Sequence, residues 1–107
     1  MVNEKGGIRK NEGKLRWGLL PFHAFTEVVE VLEFGMRKYA KDNWKLLDAE
    51  TAAESFLRHM VKWQMGEEFD PESGLSHLAH MMCNGMFMLY FREMERGKPD
   101  PEEPKKQ

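Results

Sequence analysis

Apolar residues fall at helical spacing in three stretches of this chain. In the first, Phe22, Phe25, Val28, Val29, Leu32, Met36 and Tyr39 recur every three to four positions, with Thr26, Glu27, Glu30, Glu33, Arg37 and Lys41 on the opposite side. Pro21 suits a first helical position, so the spacing predicts a helix from Pro21 to about Lys41, ended by the turn-forming pair Asp42-Asn43. In the second, Ala52, Phe56, Met60 and Trp63 form a stripe widened by Ala53, Leu57 and Val61. Asp48 is placed to cap this helix, which runs to about Met65, and Gly66 to stop it. The third stretch is nearly all apolar from Leu78 to Phe91. Its helix is predicted to begin just after Asp70 as N-cap, with Pro71 and Glu72 in the first turn, and to run to about Arg96 before Gly97.

No useful length of chain alternates with period two, so the fold class is all-α, a bundle of about three main helices. A helix that is apolar on every side is buried on every side, and two neighbours leave part of the third helix uncovered. The bundle is therefore expected to be completed by oligomerisation, as a homo-oligomeric dimer or tetramer. Met81, Met82, Met86 and Met88 on that helix suit such an interface, since methionine fills irregular gaps. The 107 residues read as one domain: a flexible basic arm over 1–13, a helical core over 14–96 and a disordered tail over 97–107.

Charge narrows the functional classes. The chain is 32% charged yet carries a net charge of only −2, which argues against stable nucleic-acid binding. DNA binding through residues 1–20, where Lys5, Arg9, Lys10, Lys14 and Arg16 face only Glu4 and Glu12, is the weakest reading. The apolar run of 14 residues is short of the ~20 that span a bilayer, so no membrane partner and a cytoplasmic location are expected. Cys83 is alone, cannot form an intramolecular disulfide, and reads as a buried thiol.

Candidate chemistry starts inside the apolar helix. His77, His80 and Asn84 lie at i, i+3 and i+7 and share one face. An imidazole or amide buried without a partner costs ~1–3 kcal/mol, so a carboxylate, a water, a metal or a substrate must meet these groups. The two histidines either hold a metal or an anion, or are core residues bonded to backbone or carboxylate. Glu27 and Glu30 project from one side of the first helix, either as a cation site or as part of a solvated acidic face with Glu33. Glu67 is left unexplained by capping of the third helix. A set dominated by oxygen donors favours Mg²⁺ or Mn²⁺, and such a site beside Lys14, Arg16 and Lys38 is what a nucleoside polyphosphate needs. A P-loop, a Gly-x-Ser-x-Gly elbow and zinc-finger spacing are all missing.

Several segments then resemble a known family: Lys14-Leu15-Arg16-Trp17, Leu20-Pro21, Phe34-Gly35, Lys38-Tyr39, Asn43-Trp44, Arg58-His59, Gly66-Glu67, and the run from Asp70 through Ser73, His77 and His80. Together they are similar to the phage dATP/dGTP diphosphohydrolases of MazZ type, within the all-α MazG-like nucleoside triphosphate pyrophosphohydrolases. The resemblance spans about Lys14 to Tyr90. It implies hydrolysis of dGTP or dATP to monophosphate and pyrophosphate with Mg²⁺, Mn²⁺ or Co²⁺, in the host-cell cytoplasm if phage-encoded. MazG-like enzymes pair Glu-x-x-Glu on one helix with Glu-x-x-Asp on a later one; Glu27 and Glu30 fit the first, and Glu67 and Asp70 are the later match. On this reading Glu27, Glu30, Glu67 and Asp70 hold the metal, and His59, His77 and His80 serve catalysis. Lys14, Arg16, Lys38, Tyr39, Asn43, Trp44 and Asn84 bind substrate. The alternative is a non-catalytic phage accessory protein, a helical oligomer whose histidines are structural.

Overall fold

The computed structural model describes residues 4–8, 12–98 and 100–102; residues 1–3, 9–11, 99 and 103–107, which hold part of the expected arm and tail, lie outside the described residues. Three α-helices carry the fold: α1 (Thr26–Lys38), α2 (Ala49–Gln64) and α3 (His77–Glu95), with short 3-10 helices at Trp17–Leu19, Phe22–Phe25 and Asn43–Leu46. Among the described residues there is no named strand, and an isolated bridge joins Phe69 and Ser76, so the class is all-α as the periodicity requires. No helix among them is long and apolar enough to cross a membrane.

The helix ends show where local chemistry overrode the apolar period. The first helix is α-helical only from Thr26: Phe22–Phe25 is wound more tightly, and the Thr26 hydroxyl donates to the His23 carbonyl at 2.9 Å. It stops at Lys38 rather than Lys41 because Tyr39 leaves the helical region, and Asp42 then turns the chain with a left-handed φ of 60°. Asp48 does cap α2, its carboxylate accepting the Thr51 N–H at 2.8 Å. At the other end Gly66 takes φ +96°, and the Glu67 N–H donates to the Lys62 carbonyl at 3.0 Å, a Schellman closure.

The predicted start of the third helix is corrected. Asp70 does not cap it, and Pro71 and Glu72 are not helical. Gly74, in a left-handed conformation with φ +73°, closes a tight loop instead: the Gly74 N–H donates to the Asp70 carbonyl at 2.7 Å, and the Asp70 N–H to the Leu75 carbonyl at 2.8 Å. Asp70 caps that loop, accepting from the Ser73 N–H and hydroxyl at 3.2 and 3.0 Å. Ser76 is the true N-cap, its hydroxyl accepting from the Leu78 N–H at 3.1 Å.

α3 pairs most extensively with α2, and α1 also packs against it. Val28, Val31, Ala79 and Cys83 form the buried core between α1 and α3, with Phe25, Leu32, Leu75 and Phe87 packed around it. Cys83 is only 1% exposed, burial pushes its thiol up to about 12, and its Sγ–H donates to the Val28 carbonyl at 3.4 Å. It is a core residue, as expected, and not a nucleophile. The 3-10 helix Asn43–Leu46 folds Trp44 back onto α3, where it stacks on Phe87 at 4.2 Å and meets Tyr90 and Phe91 edge-on. Lys45 beside it pairs with Asp100 at 2.8 Å, which draws this part of the expected tail onto the helices.

Candidate functional site

The Schellman turn after α2 and the loop closed by Gly74 place three acidic or hydroxyl residues against the first turn of α3. Glu67 reaches His77, with Oε1 at 2.9 Å from Nε2. The other ring nitrogen of His77 lies 2.8 Å from Nδ1 of His59, which comes from α2. The His59 ring stacks on His80, with centroids 4.3 Å apart and planes 7° from parallel. His80 Nε2 meets the Ser73 hydroxyl at 2.7 Å, and that hydroxyl donates to Asp70 Oδ2 at 3.0 Å. Asn84 donates its amide N–H to the His80 carbonyl at 2.9 Å. Among the described residues no fully buried side-chain nitrogen or oxygen lacks a partner, so the demand raised by the buried imidazoles is met within the chain.

Burial decides the charge state of two of these rings. His59 is pushed down to about 4, first by desolvation and then by the neighbouring His80 and His77, with Asp70 acting the other way. His80 is lowered by burial, which outweighs the raising effect of Asp70. Burial would raise Asp70, but the Ser73 hydroxyl and N–H, and then His80 and His59, hold its carboxyl below the usual range. At neutral pH the site therefore holds neutral His59 and His80 rings beside an ionised Asp70.

The stacked pair opens onto a cleft of about 720 Å³ between the C-terminal half of α1, the Asn43–Leu46 turn, α2 and α3. Leu32, Phe34, Trp44 and Phe87 give it apolar walls; Lys38, Tyr39, Asn43, His59, Asp70, His80 and Asn84 also line it. Lys38 is bonded to the Glu72 carboxylate, and its ammonium sits 5.3 Å from the Tyr39 ring centre. A cleft of this size and mixed lining fits a ligand of nucleotide dimensions.

Eight of the residues singled out in the sequence thus meet around one cavity: Lys38, Tyr39, Asn43, Trp44, His59, Asp70, His80 and Asn84. His77 and Glu67 stand one layer behind, bonded to each other. The others are not brought to it. Lys14 and Arg16 are exposed and lie outside its lining, as do Glu27, partly buried on α1, and Glu30, exposed on the same helix. Among the described residues no three His, Cys, Asp or Glu side chains come together as a donor set for a metal ion, so the expected quartet Glu27, Glu30, Glu67 and Asp70 does not assemble within one chain. Three contributors were missed: Ser73, which joins Asp70 to His80, and Arg58 and Lys41, which line the cleft. The signal for Ser73 was present, since Asp-x-x-Ser before a glycine is an Asx-turn pattern.

Residues 4–100 match the family described as dATP/dGTP diphosphohydrolase, N-terminal. Over 84 residues the chain is 32% identical to the dATP/dGTP diphosphohydrolase of Salmonella phage PMBT28, covering 78% of this chain and 29% of that protein. The chain thus spans less than a third of the length of that relative. No solved structure matches it.

Proposed function

This chain belongs to the dATP/dGTP diphosphohydrolase N-terminal domain family, and from that premise we propose that it hydrolyses a purine deoxynucleoside triphosphate, dGTP or dATP, to the monophosphate and pyrophosphate. The observation that carries the reading is the cleft, where apolar and aromatic walls, cationic side chains and the stacked His59–His80 pair surround one nucleotide-sized space. Tyr39 and Trp44 offer aromatic faces to a base, and Lys38, Lys41 and Arg58 offer positive charge to a triphosphate. Lys14 and Arg16 would reach the phosphates from outside the cleft lining. The host-cell cytoplasm is the compartment that supplies such a substrate.

The reaction is proposed to depend on Mg²⁺, Mn²⁺ or Co²⁺, which when bound would neutralise phosphate oxygens and activate water. One chain does not by itself present a fitting donor set, so no step is assigned to the ion. Of the four expected ligands, Glu67 and Asp70 each bond a neighbour through one carboxylate oxygen, to His77 and Ser73 respectively.

Incubation with each of the four dNTPs and each of the three ions, followed by phosphorus NMR, tests the activity. Pyrophosphate is expected from dGTP or dATP, and Glu27→Gln should abolish its release while preserving helicity. No release from any nucleotide would favour the accessory reading, which the internally satisfied His77 also supports.

A second copy of the chain is proposed to cover α3. Leu78, Met82, Met86 and Leu89 run along one side of that helix at 41–60% exposure, and Leu57 and Val61 of α2 are 46% and 50% exposed. The radius of gyration is 17.7 Å against about 13 Å for a compact domain of this length, as expected for a protomer whose core is shared. Sedimentation equilibrium should show a dimer or tetramer, and Met82→Glu should shift it to monomer. A wild-type monomer at high micromolar concentration would contradict this.

A further inference from the structure

Two carboxylates set the direction of every hydrogen bond in the histidine cluster. An ionised carboxylate only accepts, so His77 donates Nε2–H to Glu67, and a ring carrying that one proton offers Nδ1 as an acceptor. The partner across that 2.8 Å contact must then donate, so His59 carries its proton on Nδ1 and its Nε2 is a bare lone pair. The second relay runs in parallel. Ser73 donates its single hydroxyl proton to Asp70, so His80 donates Nε2–H to Ser73 and its Nδ1 is bare. Both relays end in the two rings that stack face to face and line the same cleft.

Two further acceptors stand beside them. Asn84 uses its amide N–H on the His80 carbonyl, which leaves its oxygen without a protein partner. Asp70 takes its bonds on Oδ2, which leaves Oδ1 open. Among the described residues no buried side-chain atom is unpartnered, so these four open atoms reach solvent, and all four residues line the cleft. The residues of this wall therefore carry four hydrogen-bond acceptors that the chain itself leaves unused. The exposed cations Lys41 and Arg58 also line the cleft.

We infer that the His59–His80 pair, with Asn84 and Asp70, forms an acceptor-rich floor that takes the N–H edge of a purine base and turns phosphate away. A phosphate oxygen placed there would face the two bare ring nitrogens and the Asp70 carboxylate. A purine amino or imino group would find the acceptors it needs, while its ring lies between the apolar walls. The triphosphate is then directed outward to Arg58, Lys41 and Lys38. Glu67 and His77 act as positioning residues, since they fix the tautomer of His59 without reaching the cleft. This orientation rests on the nucleotide reading above; the proton placement does not.

Histidine-selective ¹⁵N labelling with long-range ¹H–¹⁵N correlation at pH 7.5 tests it, because protonated and bare ring nitrogens are well resolved. The expected result is His59 as the Nδ1–H form and His80 as the Nε2–H form. Glu67→Ala should leave His59 as a mixture of tautomers, and Glu67→Gln, whose amide oxygen accepts the same bond, should restore the Nδ1–H form. Added dGMP or dAMP should shift His59 Nε2 and His80 Nδ1, whereas tripolyphosphate should leave both in place. Purine 2′-deoxyriboside 5′-monophosphate, which has no N–H on its pairing edge, should bind at least about tenfold more weakly than dGMP. The opposite tautomer on either ring, or shifts of both nitrogens by tripolyphosphate, would overturn the floor even in an active triphosphatase. The assigned tautomers with no binding of any nucleotide would overturn the occupant and, separately, the nucleotide reading itself.

Discussion

His77→Ala is expected to lower the unfolding free energy by about 3 kcal/mol, the sum of a cavity and an unmet donor. The His77 side chain is 2% exposed and holds two partners. Deleting the ring leaves a void that α2 and α3 fill only partly, which accounts for roughly half of the loss. It also leaves the His59 Nδ1–H without its acceptor in a partly buried site, at about 1–2 kcal/mol. Glu67 adds little, because its side chain is 37% exposed and can be rehydrated. In a domain of this size the melting temperature should fall by roughly 15 °C, measured by circular dichroism. His77→Asn, whose side-chain oxygen can accept from His59, should recover about half of that stability. A fall of under about 1 kcal/mol in the alanine variant would mean that His77 is not the junction between the helices.

The reason His77 holds this place was half visible in the chain. Its spacing from His80 and Asn84 puts all three on one face of a helix, and burial of that face follows from the apolar residues around it. All three are buried. Their partners were not visible. Glu67 lies ten residues before His77, and Ser73 seven before His80, across a loop whose path depends on the left-handed Gly66 and Gly74. Helical periodicity carries no information about such a path. The same loop explains the displaced start of α3: Asp-Pro-Glu reads locally as a helix start, and only the closure between Asp70 and Leu75 shows that it is a turn.

The carboxylates illustrate a different limit. Glu27 and Glu30 were grouped with Glu67 and Asp70 on spacing and resemblance, and spacing within a helix does place the first two together. Whether helices bring distant acids to one point depends on packing, and in a single chain Glu67 and Asp70 serve histidine and serine instead. The cleft was more legible. Lys38-Tyr39 and Asn43-Trp44 are adjacent pairs at the end of α1 and in the following turn, His59 lies on α2, and all five residues line it. Lys14 and Arg16 belong to a segment without a helical period to orient them, and they lie outside its lining.

Acidification should reveal the histidine pair directly: the melting temperature is expected to drop by roughly 10 °C between pH 7 and pH 4.5. In the unfolded chain His59 takes up a proton near its ordinary 6.5, whereas in the folded chain it resists until about 4. Over that interval the unfolded state binds more protons, so stability is full above pH 6.5 and is lost progressively as the pH falls toward 4. A gap of that size is worth at most about 3 kcal/mol. The open side of the ring at the cleft screens part of it, and about 1.5–2 kcal/mol is the expected share. His80 is lowered as well and adds in the same direction below its ordinary 6.5. Asp70 acts elsewhere, since its carboxyl is held below 3.8 and its contribution fades only in stronger acid. The histidine loss can therefore be read between pH 6.5 and 4.5, before that carboxylate titrates. His59→Gln should flatten this part of the curve while leaving the decline below pH 4 in place. A wild-type curve that is flat over that range, or that rises on acidification, would show that His59 is already hydrated or charged in the folded protein, and a charged His59 would have no lone pair to offer a ligand.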